Sequence, residues 1–277
     1  MSNNPQRPLR CVAVRRADCF SPNSVEADRA ILRAAADRLA PLLGIEPADI
    51  TMIDEDHTGS MPQPDVCLSM ARCTDTLARL ATWEQGGCTV VNRAPGVTAC
   101  QRATLDRLMR RHHVPMPPQT GTHGYWLKRG DAAAQDRADV VFCPDEAALR
   151  EARQAFAQRG ITLTVTSAHM VGDLVKFYGV ADRFFALFYP SDDGISKFGD
   201  EQRNGQAHHY AFCRADLQRE AARLSRLTGV DVYGGDAIVD SEGRFYIIDF
   251  NDWPSFSRCR PEAAEAIATL VAEKVRA

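Results

Sequence analysis

The sequence predicts an α/β (α+β) protein of two parts, and three observations support this. Its 277 residues suffice for about two domains at roughly 150 residues each. Over residues 11–92, short apolar runs alternate with helical patterns, an order typical of a mainly parallel sheet. Beyond residue 92, strand pairs alternate with single helices, which indicates antiparallel hairpins. We therefore place a small N-terminal α/β domain at residues 10–92 and a larger domain at residues 93–277.

The N-terminal domain is predicted from four apolar runs and two helical patterns. Asn23-Ser24 precedes the first helical pattern, and Gly44 follows it, as expected at the two ends of a helix. Gly86-Gly87 separates the second helix from the last strand of this domain. The predicted strands lie at 11–14, 50–53, 66–70 and 88–92, and the predicted helices at 25–43 and 74–84.

The larger domain begins with a basic helix that ends at the proline-rich phrase VPMPPQT. Polar, glycine-containing residues 190–210 interrupt the later elements, and we predict a surface loop there. The predicted helices lie at 97–112, 145–158, 214–228 and 261–275, and the predicted strands at 125–128, 140–143 and 161–166, with hairpins at 174–189 and 232–250.

Composition excludes several classes of protein. Acidic residues outnumber basic ones by 36 to 33, so bulk positive charge for nucleic-acid binding is absent. The longest apolar run, 184–189, is far too short to span a bilayer, and the polar first ten residues have no signal-peptide core. We expect a cytoplasmic protein that acts on small molecules, with neither nucleic acid nor membrane as partner. A homo-oligomer remains open.

Nine cysteines are scattered without a CxxC pair, a pattern typical of reduced, packed thiols. A single nucleophilic cysteine remains an alternative. Nucleotide sites of the P-loop and Rossmann types are excluded, because neither GxxxxGK[ST] nor GxGxxG occurs.

The hairpin at 232–250 and the residues just after it carry the most informative polar pattern. Side chains alternate along a strand, so Asp249 and Asn251 share one face. A four-residue loop at 241–244 would pair residue 240 with residue 245 and place Asp236 opposite Asp249. Two carboxylates and an amide oxygen suit Mg²⁺, which prefers oxygen ligands. The alternative is that these groups merely face solvent at a sheet edge.

The phrases GGDAIV and YIIDFNDWPSF resemble the metal-binding end of the ATP-grasp superfamily, with Asp236, Asp249, Asn251 and Pro254 at the characteristic positions. The resemblance extends from residue 92 to residue 277. It implies an ATP-grasp domain over 93–277, with a lid at about 120–168 and a base at about 169–277. It also implies that the three polar residues hold Mg²⁺ and that ATP binds between lid and base.

The same resemblance implies an ATP-binding set. Lys128, at the end of YWLK, corresponds to the lid lysine on the α- or β-phosphate, and Lys176 to the cation on the transferred phosphoryl group. These are two of only four lysines in the chain. Ordinary solvated lysines are the alternative. The remaining implied contacts are Arg102 with the phosphates, Thr166 in the adenine hinge 164–170, and Asp173 with the ribose.

Substrate contacts are predicted more loosely. Arg72 follows an N-terminal strand, Ser255 follows Pro254, and Arg203 lies in the loop at 190–210, where it would contact an acylphosphate. A surface arginine and an N-cap serine are the alternatives for the first two.

For the activity, the resemblance implies an ATP- and Mg²⁺-dependent ligase that joins a carboxylate to an amine and releases ADP and phosphate. VKFYGV also resembles a segment of the inositol phosphate kinases of this superfamily, so a small-molecule kinase is the first alternative. A non-catalytic nucleotide-binding module is the second.

Overall fold

The computed structural model describes residues 9–131, 137–193 and 203–277, which divide into two compact units. Unit 1 contains the described residues up to Gly96 together with Val230–Val232 and Trp253–Ala277. Unit 2 contains Val97–Gly229 and Tyr233–Asp252. The last helix therefore belongs to unit 1, whereas the sequence placed it in the larger domain.

Unit 1 is built on a parallel sheet, as the alternating pattern predicted. The order of its strands is β2-β1-β3-β4. Its helix α1 ends at Gly44, whose left-handed backbone (φ 71°) suits glycine. The helix α7 packs along α1, and this contact explains why the C-terminal segment joins this unit. The elements are β1 Cys11–Arg15, α1 Val25–Leu43, β2 Ile50–Asp54, β3 Val66–Ser69, α2 Thr74–Gln85, β4 Thr89–Val91 and α7 Arg260–Arg276.

Two helices follow β4, namely α3 (Ala94–Ala99) and α4 (Arg102–Arg111). The sequence predicted one helix over 97–112, but residues 100–101 separate the two. Gln101 has extended backbone angles (φ −59°, ψ 131°), which no α-helix can contain. Arg102 is therefore the first residue of α4.

Unit 2 contains a three-stranded antiparallel sheet with the order β6-β5-β7. The strands are β5 Tyr125–Arg129, β6 Val140–Cys143 and β7 Thr164–Ala168. Helix α5 (Glu146–Gln158) begins at Asp145, whose carboxylate accepts from the backbone N–H of Ala148 at 2.8 Å. A cluster of buried side chains joins α5 to one face of this sheet and consists of Tyr125, Leu127, Cys143, Leu149, Phe156 and Ile161.

The second sheet of unit 2 has the strand order β11-β10-β8-β9. Its strands and the helix between the two hairpins are β8 Asp173–Val180, β9 Phe184–Phe188, α6 Arg214–Thr228, β10 Val232–Val239 and β11 Phe245–Asp252. One face is buried and aromatic: the ring of Phe250 lies 6.5 Å from that of Phe177 and 5.2 Å from that of Tyr233. The other face of β10 and β11 is free to carry polar groups.

Among the helices of the described residues, none combines the length and the apolar character that crossing a membrane requires.

Candidate functional site

Asp236 lies directly opposite Asp249 in the antiparallel ladder of β10 and β11. The predicted pairing of these two carboxylates is confirmed. The predicted loop length was wrong, because Val239 rather than Asp240 pairs with Phe245. The turn therefore has five residues, 240–244.

An additional residue on β11 corrects the register. Ala237 pairs with Ile247, whereas Asp236 pairs with Asp249, so Ile248 has no partner in the ladder and forms a β-bulge. Without this bulge, the longer turn would shift Asp249 by one position relative to Asp236. Bulges commonly redirect a side chain beside a functional site.

The bulge also provides a hydrogen-bond acceptor. The backbone oxygen of Ile248 accepts from Nζ of Lys128 at 3.2 Å. Lys128 belongs to β5. Its contact with Ile248 therefore connects one face of the three-stranded sheet to the hairpin of β10 and β11, which carries the two carboxylates. Burial lowers the pKa of Lys128, and the nearby Arg102 lowers it further, whereas Asp249 and Asp236 oppose this change.

Lys176 contacts the other carboxylate of the pair, Asp236, directly. Its Nζ lies 2.8 Å and 2.9 Å from the two carboxylate oxygens of Asp236. Burial raises the pKa of Asp236 above its ordinary value, although Lys176 partly opposes this, and the negative charge of Asp249 adds to the increase. The two predicted site residues therefore form an ion pair.

The pKa of Asp249 shifts in the opposite direction to that of Asp236. Burial is the largest single influence and would raise its pKa, but attraction by Lys128 and Arg102 and a hydrogen bond from Asn251 together bring the pKa below the ordinary value. That hydrogen bond runs from Nδ2 of Asn251 to Asp249 at 2.8 Å. Asp249 therefore stays ionised at neutral pH, as a metal ligand must.

Arg102 lies within the electrostatic reach of both Lys128 and Asp249, and its guanidinium donates to the backbone oxygen of Arg129 at 2.8 Å. With Lys128 and Lys176 it brings three cations to the paired carboxylates. Cations of this kind bind the oxygens of a phosphate chain.

Gly235 permits the close approach of the strands at this site. A Cβ atom at this position would lie 2.3 Å from the backbone oxygen of Asp249 and 2.5 Å from the Phe177 ring. Any larger residue would therefore push β10 away from β11 beside the paired carboxylates.

The donor set suits Mg²⁺. Asp236 and Asp249 are cross-strand neighbours, and Asn251 follows on the same strand, so hard oxygen donors come together on one small surface. Across the described ranges, no cluster of three or more His, Cys, Asp or Glu side chains could hold a metal ion. If each of the two carboxylates and the amide gives one oxygen to an octahedral Mg²⁺, about three positions remain for phosphate and water.

Thr166 lies on the other face of the three-stranded sheet. It pairs with Leu127, which is buried against α5, and its hydroxyl accepts from the Arg153 guanidinium at 3.1 Å. Alternation therefore turns its side chain away from the face that carries Lys128, and the contact of the hinge at Thr166 with ATP stays a prediction.

Asp173 is buried at 2 % exposure, and its two oxygens accept from the backbone N–H groups of His208 and Tyr210 at 2.7 Å and 2.8 Å. These contacts fix the segment 207–210 to the start of β8. The side chain thus serves as an anchor for this segment instead of presenting a free carboxylate to a ribose, as had been predicted.

Arg203 is the first described residue after the gap at 194–202, within the predicted loop. Its guanidinium lies 3.6 Å above the ring of Phe142 and 5.9 Å from that of Trp126. It stacks on aromatic rings of the three-stranded sheet, a position that gives no support to the predicted acylphosphate contact.

Arg72 and Ser255 lie in unit 1 and so outside the unit that carries the paired carboxylates. Arg72 follows β3, and its backbone N–H donates to the buried carboxylate of Glu55 at 2.7 Å. Ser255 follows β11 and is half-buried. Their contacts with a substrate remain predictions.

The cysteines with shifted pKa values show the reverse of nucleophilic activation. None of the nine is in a disulfide. Burial raises the pKa of Cys11 and Cys259 to about 11 and that of Cys73 and Cys88 to about 12. A catalytic thiol requires the opposite change.

The sequence prediction missed two features of this region: the Ile248 carbonyl and the aromatic pair of Trp126 and Phe142. Trp126 could have been found, because it is two residues from Lys128 on one strand and therefore shares its face. The carbonyl could not, since no sequence signal marked the bulge.

No protein-family model matches the sequence, and no curated protein matches it significantly. Solved structures do match over nearly the whole chain. D-cycloserine synthetase DcsG superposes with a TM-score of 0.64 at 12 % identity and covers 96 % of this chain and 99 % of its own.

Two further structures give the same result. A RimK domain ATP-grasp protein from Sphaerobacter thermophilus DSM 20745 has a TM-score of 0.61 at 20 % identity, covering 94 % of this chain and 98 % of its own. The ATP-grasp ligase PsnB, complexed with a minimal precursor, Mg and ADP, has a TM-score of 0.60 at 13 % identity, covering 96 % and 98 %. Together with the arrangement of sheets and of the paired carboxylates, these likenesses show that this chain has the ATP-grasp fold.

Proposed function

We propose that this protein is an ATP- and Mg²⁺-dependent ligase that joins a carboxylate to an amine and releases ADP and phosphate. The observation that carries the proposal is the pairing of Asp236 with Asp249 beneath Lys176 and Lys128. This surface combines hard oxygen donors for Mg²⁺ with cations for a phosphate chain.

In the first step, an oxygen of the substrate carboxylate attacks the γ-phosphorus of ATP. The bond to the β,γ-bridging oxygen breaks, ADP leaves, and an acylphosphate forms. Lys176 would leave Asp236 for the transferred phosphoryl group, and Lys128 and Arg102 would hold the remaining phosphates. Fixed cations stabilise the charge that develops on phosphoryl oxygens during transfer.

Asp236, Asp249 and Asn251 would hold Mg²⁺, which neutralises phosphate charge when it is bound. The lowered pKa of Asp249 keeps this ligand ionised, and Lys176 neutralises Asp236 until nucleotide arrives. Asp236 would thus exchange Lys176 for Mg²⁺ as Lys176 moves to the phosphoryl group. This exchange would link the binding of the metal to the binding of the phosphates.

In the second step, the amine nitrogen attacks the acyl carbon, phosphate leaves with the electrons of the broken C–O bond, and the nitrogen loses a proton. The product is an amide. Ligases recur among the structures with this fold, including D-cycloserine synthetase DcsG and a D-alanine-D-alanine ligase, and this supports a ligase over the kinase alternative.

The decisive experiment incubates the protein with Mg·ATP and pooled carboxylates, amines and polyols. ADP, free phosphate and new masses are measured. We expect ADP and phosphate in equal amounts together with an amide mass. ADP without free phosphate, together with a phosphorylated product, would make the protein a kinase.

The matched variants for this experiment are Lys176→Ala and Lys274→Ala. Lys176 contacts Asp236, whereas Lys274 pairs with Asp231 in unit 1. Loss of turnover in the first variant alone would support the assignment. ATP binding without turnover on any substrate would favour a non-catalytic nucleotide-binding module.

A further inference from the structure

The face of the three-stranded sheet that carries Lys128 is aromatic beside that lysine. Trp126 precedes Lys128 by two residues on β5, so the two side chains share one face. Phe142 pairs with Trp126 on β6, and their rings meet edge to face at 5.3 Å. Gly124 makes room for this pair, since a Cβ there would lie 2.7 Å from the Phe142 ring. An aromatic surface thus lies about 7 Å along the strand from the phosphate lysine.

His169 completes this aromatic surface. Its ring lies 5.4 Å from that of Phe142, and its Nδ1 accepts from the indole Nε1 of Trp126 at 3.1 Å. The surface is therefore held rigid by a hydrogen bond as well as by packing. The three rings meet edge to face and do not lie in one plane, so the face of the Phe142 ring is the part on which a planar ligand can stack.

Arg203 covers this surface. Its guanidinium, itself planar, lies 3.6 Å above the centre of the Phe142 ring, within the range of a cation–π contact. The next residue, Asn204, donates through Nδ2 to the backbone oxygen of Met170 at 3.2 Å. The Oδ1 atom of Asn204 is buried and has no hydrogen-bond partner among the described residues.

The residues that follow hold Arg203 and Asn204 in place. Asp173 accepts from the backbone of His208 and Tyr210, and the Ser191 hydroxyl accepts from the N–H of Ala207 at 3.0 Å. These bonds lie within a few residues of Arg203, so its position over the aromatic rings is built into the local fold.

We propose that Arg203 and Asn204 occupy the subsite of the nucleobase and that ATP must displace them; this inference rests on the proposed function. The two side chains reproduce what an adenine offers. The guanidinium supplies a flat group that stacks on Phe142, and the Asn204 amide supplies an N–H donor to a backbone carbonyl, as an exocyclic amine would. The unpartnered Oδ1 shows that Asn204 fits this place incompletely.

When Arg203 and Asn204 occupy the subsite, the apparent affinity for the nucleotide is lower, because part of the free energy of binding offsets the loss of the contact between Arg203 and Phe142. Removal of that contact should therefore tighten the binding of any ligand that carries the base. A ligand without a base should bind as before.

The test measures the binding of ATP, adenosine and inorganic tripolyphosphate by calorimetry to the wild type, Arg203→Ala and Arg203→Lys. For Arg203→Ala we expect ATP and adenosine to bind more tightly by about two- to thirtyfold, the factor that corresponds to a cation–π contact. Tripolyphosphate should bind unchanged. Arg203→Lys keeps the charge but loses planar stacking, so it should also gain affinity for adenosine.

Arg219→Ala is the matched control, because Arg219 is an exposed arginine of α6 that pairs with Asp216 three residues away on the same helix. It should bind all three ligands as the wild type does. Thermal melts of each variant verify that the fold is retained.

Weaker binding of ATP and tripolyphosphate by Arg203→Ala would overturn the inference, because Arg203 would then contact phosphate. Unchanged binding of adenosine would overturn it as well. In both cases the wild type still binds ATP, and the proposed function stands. If neither the wild type nor Arg203→Ala binds ATP, the proposed function fails and the inference fails with it.

Discussion

Lys176 holds Asp236 by both carboxylate oxygens, at 2.8 Å and 2.9 Å, while the facing Asp249 is bound by Asn251 instead. Two carboxylates that lie side by side therefore have different partners and opposite pKa shifts. One is neutralised by a lysine, and the other is kept ionised by the surrounding cations. This asymmetry underlies the first two predictions.

Replacement of Lys176 by Met should raise the pKa of Asp236 further. Burial and the charge of Asp249 both raise it already, and Lys176 opposes them. A ¹³C NMR titration of the aspartate carboxyl groups measures this change directly. Lys274→Met, which removes a lysine from unit 1, is the control. An unchanged Asp236 titration in Lys176→Met would show that the ion pair does not form in solution.

Asp249→Ala should remove the dependence of ATP binding on Mg²⁺. The variant loses one of two carboxylate ligands, and even the loss of a residue that only supports a metal ligand commonly costs about tenfold or more in metal affinity. The measurement compares ATP affinity with and without Mg²⁺. Glu242→Ala, an exposed acidic residue in the turn of the same hairpin, is the control. An Mg²⁺ effect of wild-type size in Asp249→Ala would refute the metal assignment.

Gly235→Ala should destabilise the protein by about 1–3 kcal/mol, the usual cost of an added methyl group in a packed site. The new Cβ would meet the backbone of Asp249, which cannot move without the strand. Gly59→Ala is the matched control, since a Cβ there meets no atom within 4 Å. Chemical denaturation measures both. Equal stability of the two variants would contradict the close approach of β10 and β11.

His169 should make stability fall with acidification. Burial lowers its pKa, and the positive charge of Arg203 lowers it further. The unfolded chain then binds a proton before the folded one does, so stability is complete above about pH 6.5 and declines as the pH falls below it. The melting temperature of the wild type should decrease more from pH 7.5 to 5.5 than that of His169→Gln. His57→Gln, at an exposed histidine, is the control; the same decline in both variants would exclude His169 as the cause.

The sequence predicted the fold class and almost every strand and helix, because apolar periodicity and glycine signals are local properties. It also paired Asp236 with Asp249, although by a turn of the wrong length. The bulge at Ile248 restored the pairing, and no local pattern distinguishes a bulge from a regular strand. The predicted pairing of Asp236 with Asp249 is therefore correct because the longer turn and the bulge shift the register by one residue in opposite directions.

Other parts of the site depend on tertiary contacts. The side chain of Thr166 faces α5 because Leu127 does, and the sequence alone does not say which face of an amphipathic strand a helix covers. Asp173 and Arg203 were assigned by resemblance, yet their partners are backbone groups and aromatic rings from distant segments. Such contacts leave no periodic signal. The same is true of α7, whose place beside α1 follows from packing.

The place of α7 has a consequence for the order in which the chain folds during synthesis. A ribosome makes the chain from its N-terminus, and domains usually fold in that order. Here the last residue of unit 2 is Asp252, whereas unit 1 requires α7, which ends at Arg276. The unit that starts first is therefore completed last. Until α7 emerges, the side of α1 that α7 covers stays uncovered, and unit 2 is the first unit whose residues have all been made.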